Sequence, residues 1–197
     1  QKALAFCDDF EQRLVEYHQL LTGNPIFEVR TKGIGVLPRE VAINLGASGP
    51  VARASGIAFD VRKAFPYMKY AEVEFDIPVR EEGDCFARYM VRMEEMRQSV
   101  RIIRQCAEKL PPGEIRAKVP ITLRLPKGEV YTRTESPRGD LGIYLVSQGG
   151  ETPYRVKIRA PAFSNLFALS EIMRGWKVAD MIAILGSIDI VLADVDR

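Results

Sequence analysis

One histidine, one tryptophan and three cysteines among 197 residues leave little material for several kinds of chemistry. Cys7, Cys85 and Cys106 form no Cys-x-x-Cys pair and have no neighbouring histidine, so the spacing of a zinc or iron–sulfur site is missing. An odd cysteine count without a disulfide framework points to a reduced compartment. His18 has no serine or cysteine placed to form a nucleophilic pair, and reads as a surface or half-buried polar side chain beside Tyr17. No window approaches about 18 uninterrupted apolar residues, so no bilayer span is expected, and membrane association would have to come through partners. The longest apolar run lies between Asp180 and Asp189. A charge of one sign is also lacking: 28 Lys and Arg against 26 Asp and Glu leave +2, which is no footprint for nucleic acid. Asp8, Asp9 and Glu11 argue against a secretory leader, and Gln1 opens directly inside a helical pattern, as expected of a segment of a longer protein.

Nucleotide-binding motifs fail on inspection. Gly33-Ile34-Gly35 does not continue to a third glycine, because Pro38 holds that position, and no Gly-Lys-Ser/Thr follows the small-residue run Gly46-Ala47-Ser48-Gly49-Pro50. Such a run lets backbones approach closely, either one another or a ligand.

What is present organises the chain clearly. Ala3, Phe6, Phe10, Leu14, Tyr17 and Leu21 recur at helical spacing until Thr22-Gly23-Asn24-Pro25 ends the pattern. Pro38 suits the first position of a short helix closed by Gly46. Asp84 can cap a long helix whose stripe runs through Phe86, Tyr89 or Met90, Met93, Met96, Val100, Ile103, Ala107 and Leu110. Its other side carries Arg88, Arg92, Arg97, Arg101 and Arg104 among Glu94, Glu95 and Glu108, which reads as a solvated face. Asp60-Val61-Arg62 reads as a loop with a salt bridge. After a proline-rich stretch over 111–126, strands are expected at 129–134, 142–147 and 154–159, forming an antiparallel meander with Tyr154, Val156 and Ile158 on a buried face. Helices follow over 163–173 and 178–185, broken at Gly175. The expected class is α+β, helix-dominated: a helical part over 1–113, a linker over 114–127, and a sheet with C-terminal helices over 128–197, together making one fold.

Several segments then carry a resemblance. Arg53-x-Ser55-Gly56 is followed by Asp60-Val61-Arg62 and Pro66-Tyr67-x-x-Tyr70. Pro137-Arg138-Gly139-Asp140-Leu141-Gly142 precedes Pro153-Tyr154-Arg155-x-Lys157-Ile158-Arg159-Ala160-Pro161-x-Phe163. Ala179-Asp180-Met181 leads through Gly186-Ser187 to Asp189-Ile190-Val191-Leu192-Ala193-Asp194-Val195-Asp196-Arg197. This set resembles the D-subunit family of respiratory complex I, a hydrogenase-derived family. The last segment is also similar to the C-terminus of nickel–iron hydrogenase large subunits, where Asp-Pro-Cys-x-x-Cys-x-x-His supplies metal ligands. Val191 and Asp194 stand at the cysteine positions. Valine cannot ligate, and nickel sites of this kind want soft sulfur.

The resemblance implies a hydrogenase large-subunit-like helical bundle with a small antiparallel sheet. It implies a wall of the quinone-reduction cavity shared with the iron–sulfur B subunit, with the C subunit as a further partner and the membrane arm reached indirectly. The chain itself would bind no cofactor or metal. The cluster belongs to the partner, and quinone is the substrate of an NADH:quinone oxidoreductase peripheral on the cytoplasmic side of the membrane. Arg138, Asp189, Val191, Asp194 and Arg197 are the candidates near the cavity or cluster. Arg138 is a permanent cation able to stabilise reduced quinone or raise a cluster potential. Asp189 and Asp194 suit proton relay if desolvated. Val191 offers an apolar wall, and Arg197 can lock the terminus. The structural alternative is an ion-pair knot of Asp189, Asp196 and Arg197. The family's quinone-headgroup histidine and tyrosine lie in an N-terminal half that this chain lacks, so the chain alone is expected to be inactive. A membrane-bound hydrogenase large subunit and a non-catalytic assembly domain are the competing readings. The electron donor, whether NADH, deazaflavin or ferredoxin, stays open.

Overall fold

Asp84 does what its position before an apolar stripe suggests. Its Oδ1 accepts from the Ala87 amide at 2.6 Å and starts the long helix α6 (Cys85–Glu108), while Oδ2 accepts from the Gly33 amide at 2.7 Å. The computed structural model describes residues 1–196. Around α6 pack α1 (Lys2–Tyr17), α4 (Gly49–Arg53) and α8 (Val178–Ile188). A single π-helical turn, His18–Thr22, continues α1. The short helices α2 (Pro25–Val29), α3 (Arg39–Asn44) and α5 (Val61–Ala64) punctuate the loops, and Asn24 and Asp60 cap the first and last of these. Pro38 is the N-cap of α3 and lies just outside the helix.

The sheet is β1 (Gly128–Ser136), β2 (Gly139–Ser147) and β3 (Arg155–Arg159), antiparallel in the order β1-β2-β3. Ser136 pairs with Gly139, so the turn between β1 and β2 is only Pro137 and Arg138. The buried face expected of β3 is not covered among the described residues: Tyr154 and Val156 are exposed. No helix or strand lies between α6 and β1.

The chain closes through α7 (Pro161–Ile172), α8 and α9 (Leu192–Val195). Ala168, Ile172, Ile184 and Ile188 from α7 and α8 share one core with Ile34, Leu37, Ala42, Val51 and Cys85. Elements on both sides of the proline-rich stretch therefore bury apolar surface against each other, the dominant favourable term in folding.

The arginine face of α6 needs correction. Arg88 is fully buried and Arg92 is largely so, whereas Arg97 and Arg101 are solvated or nearly so. In the C-terminal half of the helix the buried apolar residues are Val100 and Ile102, the latter packed with Val73 and Phe75, whereas Ile103 and Leu110 on the expected stripe are exposed. Arg88 has backbone oxygens in place of a carboxylate. It donates to Gly83 O at 2.7 Å and Gly35 O at 2.8 Å, and its Nε donates to Ser187 Oγ at 2.9 Å. Burial pulls this guanidinium below the usual arginine range.

Candidate functional site

Arg138, in the β1–β2 turn, meets Asp189 at the end of α8. Arg138 Nε lies 3.3 Å from the Asp189 carbonyl oxygen and from Oδ2, and Nη2 lies 3.3 Å from Oδ1. Asp189 closes α8 in a left-handed conformation (φ 59°, ψ 52°), which an aspartate tolerates better than most residues. The small-residue run explains the other half of the pair. Its backbone approaches another backbone: Gly49 and Gly139 both have positive φ, and a Cβ on Gly139 would come within 2.6 Å of the Gly49 amide nitrogen. Fully buried Asn165 fastens the contact. Its Oδ1 accepts from Ser48 N at 3.0 Å and its Nδ2 donates to Arg138 O at 3.2 Å.

Asp140 is buried and ion-paired with Arg133 and Arg159.

Two cavities adjoin Asp189. The first, about 530 Å³, lies between α2, α6 and α8 and is lined by Phe27, Thr31, Cys85, Ala183 and Gly186. The second, about 510 Å³, is lined by Met93, Met96, Glu95, Glu135 and Pro137. Tyr89, Arg92 and Asp189 belong to both. Arg92 donates from Nη1 to Arg88 O at 3.1 Å, but its Nε is buried with no hydrogen-bond partner. Burial lowers this guanidinium to about 10, against the opposing pull of Asp189 and Glu95. An apolar cavity with a cation, a carboxylate and a phenol at one edge suits a flat, largely apolar molecule carrying polar oxygens.

One wall of the second cavity is an ion network. Arg53 donates to Glu95 at 2.6 Å and to Glu135 at 2.9 Å, and it lies 3.8 Å from Asp60. Asp60 also pairs with Arg62 at 2.6 Å. Burial would lower the Arg53 guanidinium, yet Glu95 and Glu135 raise it above its ordinary value. Burial would likewise raise Asp60, but Arg62 holds it below the usual carboxylate range. At Glu135 burial prevails over Arg53 and pushes the carboxyl up.

The remaining candidates lie elsewhere. Val191 is the half-buried N-cap of α9. Asp194 turns toward α7, where Oδ2 accepts from the Ala162 amide at 2.9 Å, a favourable place for a carboxylate at a helix N-terminus. Asp196 is exposed, and Arg197 lies outside the described residues. The structure thus joins Arg138 to Asp189 and engages Asp194 at a separate helix end. Sequence reasoning missed Arg92, Tyr89 and Glu135 as site residues. The available signal was the concentration of arginine on α6, which reads as a solvated face until α8 is packed on it. Among the described residues no group of three or more His, Cys, Asp and Glu side chains is arranged to hold a metal ion. No helix among them is long and apolar enough to cross a membrane.

Comparison with known proteins gives a consistent result. Residues 1–124 and 118–197 match the family described as respiratory-chain NADH dehydrogenase, 49 kDa subunit. The chain is 57% identical over 182 residues to the D subunit of NADH-quinone oxidoreductase from Dehalococcoides mccartyi (strain ATCC BAA-2266), covering 92% of this chain and 50% of the relative. It is 50% identical over 196 residues to the D subunit of the same enzyme from Desulforamulus reducens, covering 100% of this chain and 54% of that protein. Against the H subunit of NAD(P)H-quinone oxidoreductase from Thermosynechococcus vestitus, identity is 46% over 220 residues, with 100% and 56% covered. The chain spans about half the length of these curated relatives.

Proposed function

Since the chain belongs to the 49 kDa subunit family of respiratory-chain NADH dehydrogenases, we propose that it forms one wall of the quinone-reducing cavity of such a complex. The observation that carries this reading is the Arg138–Asp189 pair, set where two cavities meet beside Arg92. Reduction of a quinone adds electrons and protons to its two oxygens. An iron–sulfur cluster in the B subunit would supply the electrons, across an interface that this chain completes. Its own residues manage the charge. Arg92 and Arg138 offset negative charge as the ring is reduced, and Asp189 accepts and returns protons at its carboxylate oxygens. Phe27, Ala183 and Gly186 provide an apolar surface for the ring.

On this reading the B and C subunits are direct partners and the protein is peripheral, facing the cytoplasmic side of the membrane. The hydrogenase alternative is disfavoured by Val191 and Asp194 at the positions that would need thiolates. The test is made in the full-length parent assembled with its iron–sulfur partner, by recording cluster electron paramagnetic resonance with and without a quinone analogue. Asp189→Asn is expected to change the analogue's effect on the cluster signal with assembly intact. An unchanged response would refute the placement of Asp189 at the cavity.

A further inference from the structure

Tyr89 reaches the two inner cavities from a helix whose opposite flank faces a third space. That outer cleft, about 840 Å³, is lined by His18, Arg80, Glu81, Glu82, Glu94 and Arg97 among others. Between cleft and cavities runs an unbroken line of side-chain hydrogen bonds. His18 Nδ1 lies 2.8 Å from Thr22 Oγ1, and Thr22 Oγ1 lies 3.0 Å from the Tyr89 hydroxyl. We propose that His18, Thr22 and Tyr89 form a proton path from the outer cleft to the cavity edge lined by Arg92 and Asp189. This inference rests on the quinone-cavity reading and names the route by which that cavity is supplied with protons.

The chemistry of each link suits transfer. Imidazole can take a proton at one ring nitrogen while giving one from the other, and a hydroxyl both donates and accepts. When an acceptor in the cavity takes the Tyr89 hydroxyl proton, the Thr22 proton moves to the tyrosine oxygen. The His18 Nδ1 proton then moves to Thr22, and Nε2 takes one from the cleft. One proton enters, one leaves, and every oxygen keeps its own number of protons. Rotation of the two hydroxyls and return of the imidazole to its first tautomer reset the line.

Local structure holds the links in register. His18 and Thr22 are the two ends of the single π-helical turn, a feature that recurs at functional sites. The Tyr89 ring is fixed edge-on to Phe27 at 4.9 Å and packs beside Phe86 at 6.0 Å. The groups facing the cleft end are Arg80, Glu81, Glu82, Glu94 and Arg97, and those facing the cavity end are Arg92, Asp189 and, across α2, Arg30.

The experiment compares Thr22→Val, Thr22→Ser and Tyr89→Phe in the full-length parent within the assembled complex. Quinone reduction is measured in H2O and D2O, with the affinity for a quinone analogue measured alongside. Thr22→Val keeps the shape and removes the hydroxyl, so turnover is expected to fall at least about tenfold with a larger solvent isotope effect. Thr22→Ser is expected to restore both, and analogue affinity is expected to stay at the parental value in the two Thr22 variants. Tyr89→Phe repeats the Val result if Thr22→Val fails to assemble. Parental turnover in the Val and Phe variants overturns the path, and so does an equal loss in the Val and Ser variants, which marks a structural role. Failure of the quinone-cavity reading is separately visible, as analogue binding that is insensitive to Asp189→Asn.

Discussion

Arg138 and Asp189, 51 residues apart in sequence, are joined through both the backbone carbonyl and the carboxylate of the aspartate. The contact couples the β1–β2 turn to the end of α8. It also gives a permanent cation a partner that can be neutralised by a single substitution.

Asp189→Asn should keep the fold, because asparagine accepts the left-handed backbone and only the charge is lost. The pair is partly exposed, so the stability of the assembled protein should change by no more than about 1 kcal/mol. Asp189→Val places a β-branched residue at positive φ and should cost about 1–3 kcal/mol. Thermal unfolding of the two variants side by side checks this, and equal losses would show that backbone conformation is not the issue.

Arg53 holds together Glu95, Glu135 and Asp60. Arg53→Met leaves those carboxylates without their shared cation and is expected to destabilise by about 3–5 kcal/mol. Denaturant unfolding that gives a loss below about 1 kcal/mol would refute a cooperative network.

Two members of that network should respond to pH with opposite signs. Burial raises Glu135, so its stabilising contribution is present below the ordinary glutamate range and is lost as pH rises through the raised value. Arg62 holds Asp60 low against the effect of burial, so its contribution is present above the ordinary aspartate range and is lost as pH falls through the lowered value. Relative to the parent, Glu135→Gln should gain stability from acid toward neutral pH, and Asp60→Asn should lose it. Stability–pH curves that shift in the same direction for both variants would contradict the assignment.

Asn165 is fully buried and satisfies backbone groups of both Ser48 and Arg138. Asn165→Ala strands those groups and should cost about 1–3 kcal/mol. It should also loosen the turn that aims Arg138, so, on the proposed cavity reading, quinone reduction by the assembled complex should fall further than the stability loss explains. An unfolding loss with unchanged turnover would separate the clamp from the site.

Much of the architecture is written locally in the chain. Asp84 as a cap, the periodic stripe behind it and the Gly- and Pro-rich breaks delimit α6, the sheet and the C-terminal helices, because capping, periodicity and turn chemistry act over a few residues. Arg138 and Asp189 stand out one at a time only as candidates, in the segments that carry the family resemblance. Their partnership is not legible there, because it depends on Gly49 and Gly139 bringing two backbones together and on Asn165 locking them. The same holds for Arg92. Its helical position assigns it a polar face, and only the docking of α8 and the β1–β2 turn removes that face from water. Asp194, equally acidic and five residues beyond Asp189, became a helix cap because α9 turns it toward α7. Local sequence dictates which elements form, whereas the surroundings of a side chain arise from elements far apart in the chain, and those surroundings set whether its charge is solvated, paired or placed beside a cavity.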